Sequence, residues 1–419
     1  MSGLAFAQAP PPSHPLRFLI ASLIWGTLSG AWVIGHGDAL FASRWHPATV
    51  ALVHMFALGM LGNAMIGSLY QFLPVAAGSP LRLAGSAVIV HVLLNLGLIL
   101  LLACFLHPSA PLAVAASGLL GLALLAIIAQ GWLALLRGSG VRATRVGIAL
   151  ALACLLMTWL LGGRLLAVLT GHSGAALDRL ANLHADVGVV GWGLGLLVSV
   201  GSITLPMLQG ARAPGARSLP IWWVLAIGAL LATAHATWRP DADALRLTLA
   251  LPVLALCVAV AWLQARAPRP RNPTLRRFWA SAAAALTMAT IVALSPLSGS
   301  AAVNPAGVLA LALALPWFVI GMLLEIVSFL AWIELRRRHP RGVRVPGVDR
   351  LFAESAKHRL WGLHLAAGLL LVASSWLPEL ARAAGTALAM AYALTLFAVL
   401  RCWREVRRFQ PPSSPPPPA

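Results

Sequence analysis

Apolar residues run in long blocks along this chain, and the polar and charged residues collect in the short stretches between them. The blocks have cores near 16–36, 47–73, 82–104, 111–136, 144–169, 180–208, 219–236, 243–264, 276–296, 306–334, 358–377 and 383–405. Each is close to the roughly 20 apolar residues that carry a helix across a bilayer. The pattern predicts an all-α membrane fold of twelve transmembrane helices. No stretch between blocks is long enough to fold alone; the largest, 336–357, is rich in arginine. The implied organisation is an N-terminal cytoplasmic segment 1–15, a membrane domain 16–405 and a Pro-rich, disordered cytoplasmic tail 406–419.

Composition agrees. Apolar residues make up 60% of the 419 and charged residues only 10%, which excludes an ordinary water-soluble domain, a disordered chain and a coiled coil. The net charge of +19 would point to nucleic acid in a soluble protein. Here it has a sidedness instead. With the N-terminal side taken as one face, 24 of the 30 basic residues lie on it, leaving Arg44, Arg164, Arg179, Arg239, Arg246 and Arg382 on the other. The positive-inside rule places that basic face, and with it both termini, in the cytoplasm. The charge is then a topology signal with a secondary attraction to anionic membrane lipid, and nucleic acid has no support as a partner. Tryptophans near the block ends read as an aromatic belt. The stretch Ala5-Phe6-Ala7 resembles a signal-peptidase site but precedes the first apolar block, so the first helix is expected to stay uncleaved. Cys104, Cys154, Cys257 and Cys402 are scattered and form no CxxC, which argues against a disulfide framework or a thiolate metal site.

An internal repeat is the most informative pattern. The second block reads HMFALGMLGNAMIGSLYQFLPVAAG from His54, and the sixth HADVGVVGWGLGLLVSVGSITLPMLQG from His184. Each starts with histidine near the outer face, passes through glycines and ends on Leu-Pro near the inner face. The tenth block matches in part: Gly67-x3-Gln71-x2-Pro74 corresponds to Gly321-x3-Glu325-x2-Ser328, and the place of His54 is taken by Val308. A motif recurring every four helices in the same direction is a parallel repeat, so three four-helix arcs are expected. The glycines permit close helix contact, and the same loss of bulk leaves room for a flat macrocycle.

Twelve histidines add chemistry. Imidazole inside a membrane needs a partner. His54 and His184 lie at similar depth on the outer side, and His235 falls near the same face; His91 and His364 form an inner level. Imidazole suits heme iron and copper. His54 with His184, or His91 with His364, are the pairs considered for heme b, and His54, His184 and His235 for a metal such as copper. The competing reading is that each ring hydrogen-bonds a carbonyl or a neighbouring side chain. Glu325 is the only carboxylate well inside an apolar block; it is a candidate proton-handling group, or a neutral acid packed against Asn63 or Gln71.

Twelve spans with inward termini and a motif on spans two, six and ten resemble subunit I of the heme-copper oxidases. The quoted segments are similar to those of oxidase-subunit-like bacterial membrane proteins, which implies a multi-pass protein of the bacterial inner membrane. The resemblance implies three arcs of four helices with metals in the outer third of the membrane, and His54 matches the position of the span-two ligand to low-spin heme. Departures are also plain. The oxidases carry a His-His pair on span seven, where this chain has only His235, and two heme ligands on span ten, where it has none. Their span-six copper-ligand motif is replaced by His184-Ala-Asp-Val-Gly. The expectation is an oxidase-like protein that binds heme b or copper for electron transfer or nitric oxide handling, served by a redox partner protein, rather than one that reduces oxygen. The His-rich, Gly-rich spans are also similar to heme- and copper-containing membrane proteins of the nitric-oxide response. The alternative is a non-redox transporter, metal-handling or assembly protein whose histidines are structural.

Overall fold

The computed structural model describes residues 10–78, 81, 83–295, 305–340 and 342–410. The Ala5-Phe6-Ala7 stretch and the end of the Pro-rich tail, 411–419, lie outside the described residues. Every regular element is helical, with no strand among the described residues. In chain order the long helices are α1 (Ser13–His36), α2 (Pro47–His54 running on through Met55–Gly62 and Asn63–Ala77), α3 (Ala87–Leu106), α4 (Ala110–Arg137), α5 (Arg142–Leu169) and α6 (Leu177–Asp186, Val187–Leu194, Gly195–Gln209). They continue as α7 (Ser218–Trp238), α8 (Ala250–Ala265), α9 (Pro273–Leu294), α10 (Pro305–Gly307, Val308–Ala314, Leu315–Arg338), α11 (Glu354–Ala373) and α12 (Ala381–Arg408).

Eleven of these helices, all but α11, are long and apolar enough to cross a bilayer, so the chain is a multi-pass membrane protein. The expected eleventh span, 358–377, does form a 20-residue helix at Glu354–Ala373, but its first turns carry Glu354, Lys357, His358 and Arg359, which lowers its hydropathy below that of the other spans. Two helices run past the apolar blocks read from the sequence: α1 starts at Ser13 and α12 ends at Arg408.

Consecutive helices pack side by side, and the chain closes on itself where α12 meets α1. That seam is closely packed: Gly26 lies against the Tyr392 ring, Gly30 against the Ala389 backbone, and a Cβ on Gly385 would sit 2.8 Å from the Gly30 carbonyl oxygen. Small residues are what allow backbones to approach this closely.

α2, α6 and α10 occupy the inside. Buried residues make up 67%, 61% and 67% of their spanning windows, against 28–56% in the other eight spans. α2 packs on α10 through their middle segments, and Gly193 of α6 faces Leu315 of α10. All three share a second feature. Each widens into a π-helical stretch in the half nearer its N-terminal end: Met55–Gly62, Val187–Leu194 and Val308–Ala314. Each stretch closes on a hydrogen bond spanning five residues, from Asn63 to Leu58, Gly195 to Val190 and Leu315 to Ala310. α2 and α6 also end alike, on Gly78 and Gly210 in the left-handed conformation at φ 61° and 66°. The repeat seen in the sequence is therefore a repeat of backbone geometry on spans two, six and ten. π-helical turns are rare and concentrate at functional sites.

Candidate functional site

His54 ends the first α-helical part of α2, and His184 lies on the first part of α6, each just outside a π-helical stretch. Aligning the two spans on these stretches and on Pro74 and Pro206 pairs His54 with Asp186, not with His184. The two-residue offset does not separate the rings. Their centroids are 6.2 Å apart and their planes 24° from parallel.

Each ring is held from its Nδ1 side. His54 Nδ1 is 2.8 Å from the Val50 carbonyl oxygen one turn earlier in α2, and His184 Nδ1 is 3.0 Å from the Thr158 carbonyl oxygen on α5. A carbonyl oxygen only accepts, so both Nδ1 atoms carry the proton and donate. Both Nε2 atoms then keep their lone pair. No hydrogen bond to either Nε2 occurs among the described residues. A ring fixed by an Nδ1–H···O=C bond with Nε2 left over is the usual arrangement of a metal-ligating histidine.

The surroundings are protein. Phe105 of α3 packs on His54 at 4.8 Å between centroids. Gly162 of α5 borders His184, where a Cβ would come within 3.3 Å of the ring carbon Cε1. Both histidines are half-buried. On the outer side Arg44, just before α2, donates to Asn182 of α6 over 3.0 Å, and Arg246 pairs with Asp186 at 3.4 Å. These contacts tie α2, α6 and the 240–249 segment together around the pair.

His91 and His364 stand elsewhere. Asn95 Nδ2 donates to the His91 carbonyl oxygen at 2.7 Å and lies 3.3 Å from His91 Nδ1. Its ring meets Phe18 edge-on at 5.0 Å. His364 is buried, with Nε2 3.0 Å from Thr395 Oγ1. That hydroxyl already donates to the Ala391 carbonyl, so His364 Nε2 is the donor. His364 packs against Tyr392 and Phe278. No ring contact or hydrogen bond joins His91 to His364 among the described residues. His235 is exposed on α7. No group of three or more His, Cys, Asp or Glu capable of holding a metal occurs among the described residues.

Glu325 differs from expectation. Neither Asn63 nor Gln71 is its partner. Lys357 Nζ donates to both carboxylate oxygens, at 2.7 and 2.8 Å, and both side chains are buried. Asn63 instead pairs with Asn95, whose Oδ1 accepts from Trp25 Nε1 at 2.6 Å. Sequence reasoning missed Lys357 because it was counted with the basic residues that set one aqueous face. One signal was there: it is the only lysine in the chain, all other basic residues being arginine.

The donor set defines what can be held. Two imidazoles with free Nε2 atoms fit a metal that brings its remaining ligands with it, as heme iron does, or a two-coordinate cuprous ion. They do not complete a four-coordinate zinc site. No protein-family model matches this chain, and none of the curated proteins compared with it matches its sequence.

Proposed function

We propose that this membrane protein holds heme b, or copper in its place, between His54 and His184, and uses it for electron transfer or for handling a small gas such as nitric oxide. The observation that carries the reading is the 6.2 Å between ring centres. Two imidazoles this close, each with an Nε2 free of hydrogen bonds among the described residues, could together hold one metal ion or heme iron.

Heme is favoured over copper by two observations. The protein offers two donors, and a porphyrin supplies the other four. The repeated motif on α2, α6 and α10 also supports an arrangement like that of oxidase subunit I, with the pair in the outer part of the membrane. When bound, the heme supplies a one-electron couple. The chain's part is to fix both rings through Val50 and Thr158. Oxygen reduction is not proposed, because span ten has no histidine and span seven has only His235, which is exposed. The strong basic asymmetry supports an inner-membrane protein with its basic face in the cytoplasm; with α11, 20 residues long, crossing as well, the even number of helices puts both termini on that face, and the position of the pair away from it supports a redox partner protein on the opposite face.

The test is a reduced-minus-oxidised optical spectrum of the detergent-purified protein with metal analysis on the same sample. The reading expects one b-type heme, or one copper, per chain. Neither metal, from cells able to supply both, would move the function to transport or assembly.

A further inference from the structure

The chain uses arginine at 29 of its 30 basic positions and lysine once, at Lys357. That lysine is 2% exposed and faces Glu325, 5% exposed, across helices α10 and α11. One ammonium holds both carboxylate oxygens, at 2.7 and 2.8 Å, and no other hydrogen bond reaches either oxygen among the described residues. Two of the three ammonium protons are used in this way, and the third has no acceptor among the described residues.

Stability is a poor reason for such a pair. Exchanging a buried ion pair for apolar residues of similar volume is often neutral or favourable. The choice of lysine is informative as well. Arginine makes the better fork for a carboxylate and cannot be deprotonated, whereas lysine can give up its proton. Lys357 is the fourth residue of α11, close to the basic face, while Glu325 lies 13 residues, or roughly 20 Å, inside the end of α10 at Arg338. The two side chains touch and so lie at one depth, and the first turn of α11, on which Lys357 stands, is the short way from the pair to the basic face. Other ionisable groups facing the pair are Asp349 of the turn before α11, Glu354 of α11, and Cys402 and Glu405 of α12. Glu354 is engaged, its Oε1 accepting from the Thr274 amide.

We propose that Glu325 and Lys357 form a proton-exchange site opening to the basic face, with lysine as the entry and the carboxylate as the store. In loading, a Lys357 N–H bond breaks and an O–H bond forms on Glu325, leaving a neutral amine and a neutral acid. The amine then takes a proton from hydronium at the basic face, which becomes water. The site gains one proton and goes from zero charge to +1; release runs the same steps backwards. This site lies on other helices than the His54–His184 pair and does not depend on a bound metal.

The experiment is infrared difference spectroscopy on the full chain in liposomes, with glutamate carboxyl carbons isotopically labelled, stepped from about pH 9 to about pH 5. The expected result is an isotope-shifted carboxylic-acid carbonyl band, characteristic of a buried site, that appears as pH falls. Glu325→Gln should abolish it. Should that variant not fold, Glu325→Asp moves the acid off the labelled residue type, and the shifted band should vanish while an unshifted one appears. Lys357→Arg keeps the positive charge but cannot pass a proton on, and should slow band formation after a pH jump at least tenfold. No such band in the wild type, or a band formed equally fast in Lys357→Arg, would overturn the proposal.

Discussion

Replacing Asn95 by Leu removes the polar junction of three helices. Trp25 Nε1 on α1 donates to Asn95 Oδ1 at 2.6 Å, and Asn95 exchanges amide hydrogen bonds with Asn63 of α2 at 3.2 and 3.3 Å. Asn63 keeps its bond to the Gly59 carbonyl oxygen at 2.9 Å. The variant therefore leaves two groups unpaired inside the bundle, the Trp25 indole N–H and the Asn63 Oδ1. Each buried orphan costs about 1–3 kcal/mol. Hydrogen bonds between membrane helices average nearer 0.6 kcal/mol, because the unfolded chain in lipid finds other partners. A total of about 2–4 kcal/mol follows, since indole N–H groups have few alternatives so deep in an apolar bundle. At about 2 °C per kcal/mol this lowers the melting midpoint by roughly 4–8 °C. A thiol-reactive fluorophore suits the measurement, because Cys104, Cys257 and Cys402 are buried and react only on unfolding. The double variant Asn63→Leu with Asn95→Leu should lose less than the sum of the two single losses, since one orphan disappears. A midpoint unchanged within 1 °C in Asn95→Leu, or strict additivity in the double variant, would show that this network does not hold α1, α2 and α3 together.

Three further outcomes are expected. Gly59→Ala and Gly191→Ala, at equivalent places in two of the repeats, should each destabilise by about 1–3 kcal/mol in the same thermal assay, because the new methyl meets Trp25 at 2.7 Å and Cys154 Sγ at 2.6 Å. Gly228→Ala, with open space around it, should be neutral or slightly stabilising. Glu325→Leu or Lys357→Met alone should cost about 3–5 kcal/mol by leaving one charge unpaired, while the double variant should recover most of that loss. His235→Ala, His91→Ala and His364→Ala should leave any cofactor spectrum unchanged. His364→Ala should still lower the melting midpoint, since it empties the space between Tyr392 and Phe278.

Much of the architecture is legible from the spacing of apolar blocks, since a bilayer imposes a length on each helix that a soluble core does not. The repeat was legible too, because Gly59 with Gly191, Pro74 with Pro206 and Gly78 with Gly210 stand at one constant offset. The histidines break that offset by two residues. Only the fold, with its π-helical turns, shows that His184 nonetheless reaches His54. Glycine content hinted at close packing and could not announce a five-residue hydrogen-bond period. Lys357 was hidden for another reason. Its partner is 32 positions away across a polar connection, and charge counting assigns every basic residue of that stretch to one aqueous face. The distinction between the outer and inner histidines likewise depends on which ring nitrogen meets a carbonyl and which meets a hydroxyl or amide, a property of packing rather than of spacing.

The most direct test of the central claim is electron paramagnetic resonance of the oxidised, purified protein, with metal content measured on the same sample. A heme between His54 and His184 predicts one low-spin ferric centre per chain. Ring planes 24° apart predict a rhombic signal, not the strongly anisotropic one that perpendicular imidazoles give. Either His54→Ala or His184→Ala should convert it to high spin. If copper takes the place of heme, the metal should instead be copper, one per chain, lost in both variants. A protein free of both metals, or a signal that survives the loss of either histidine, would contradict the account.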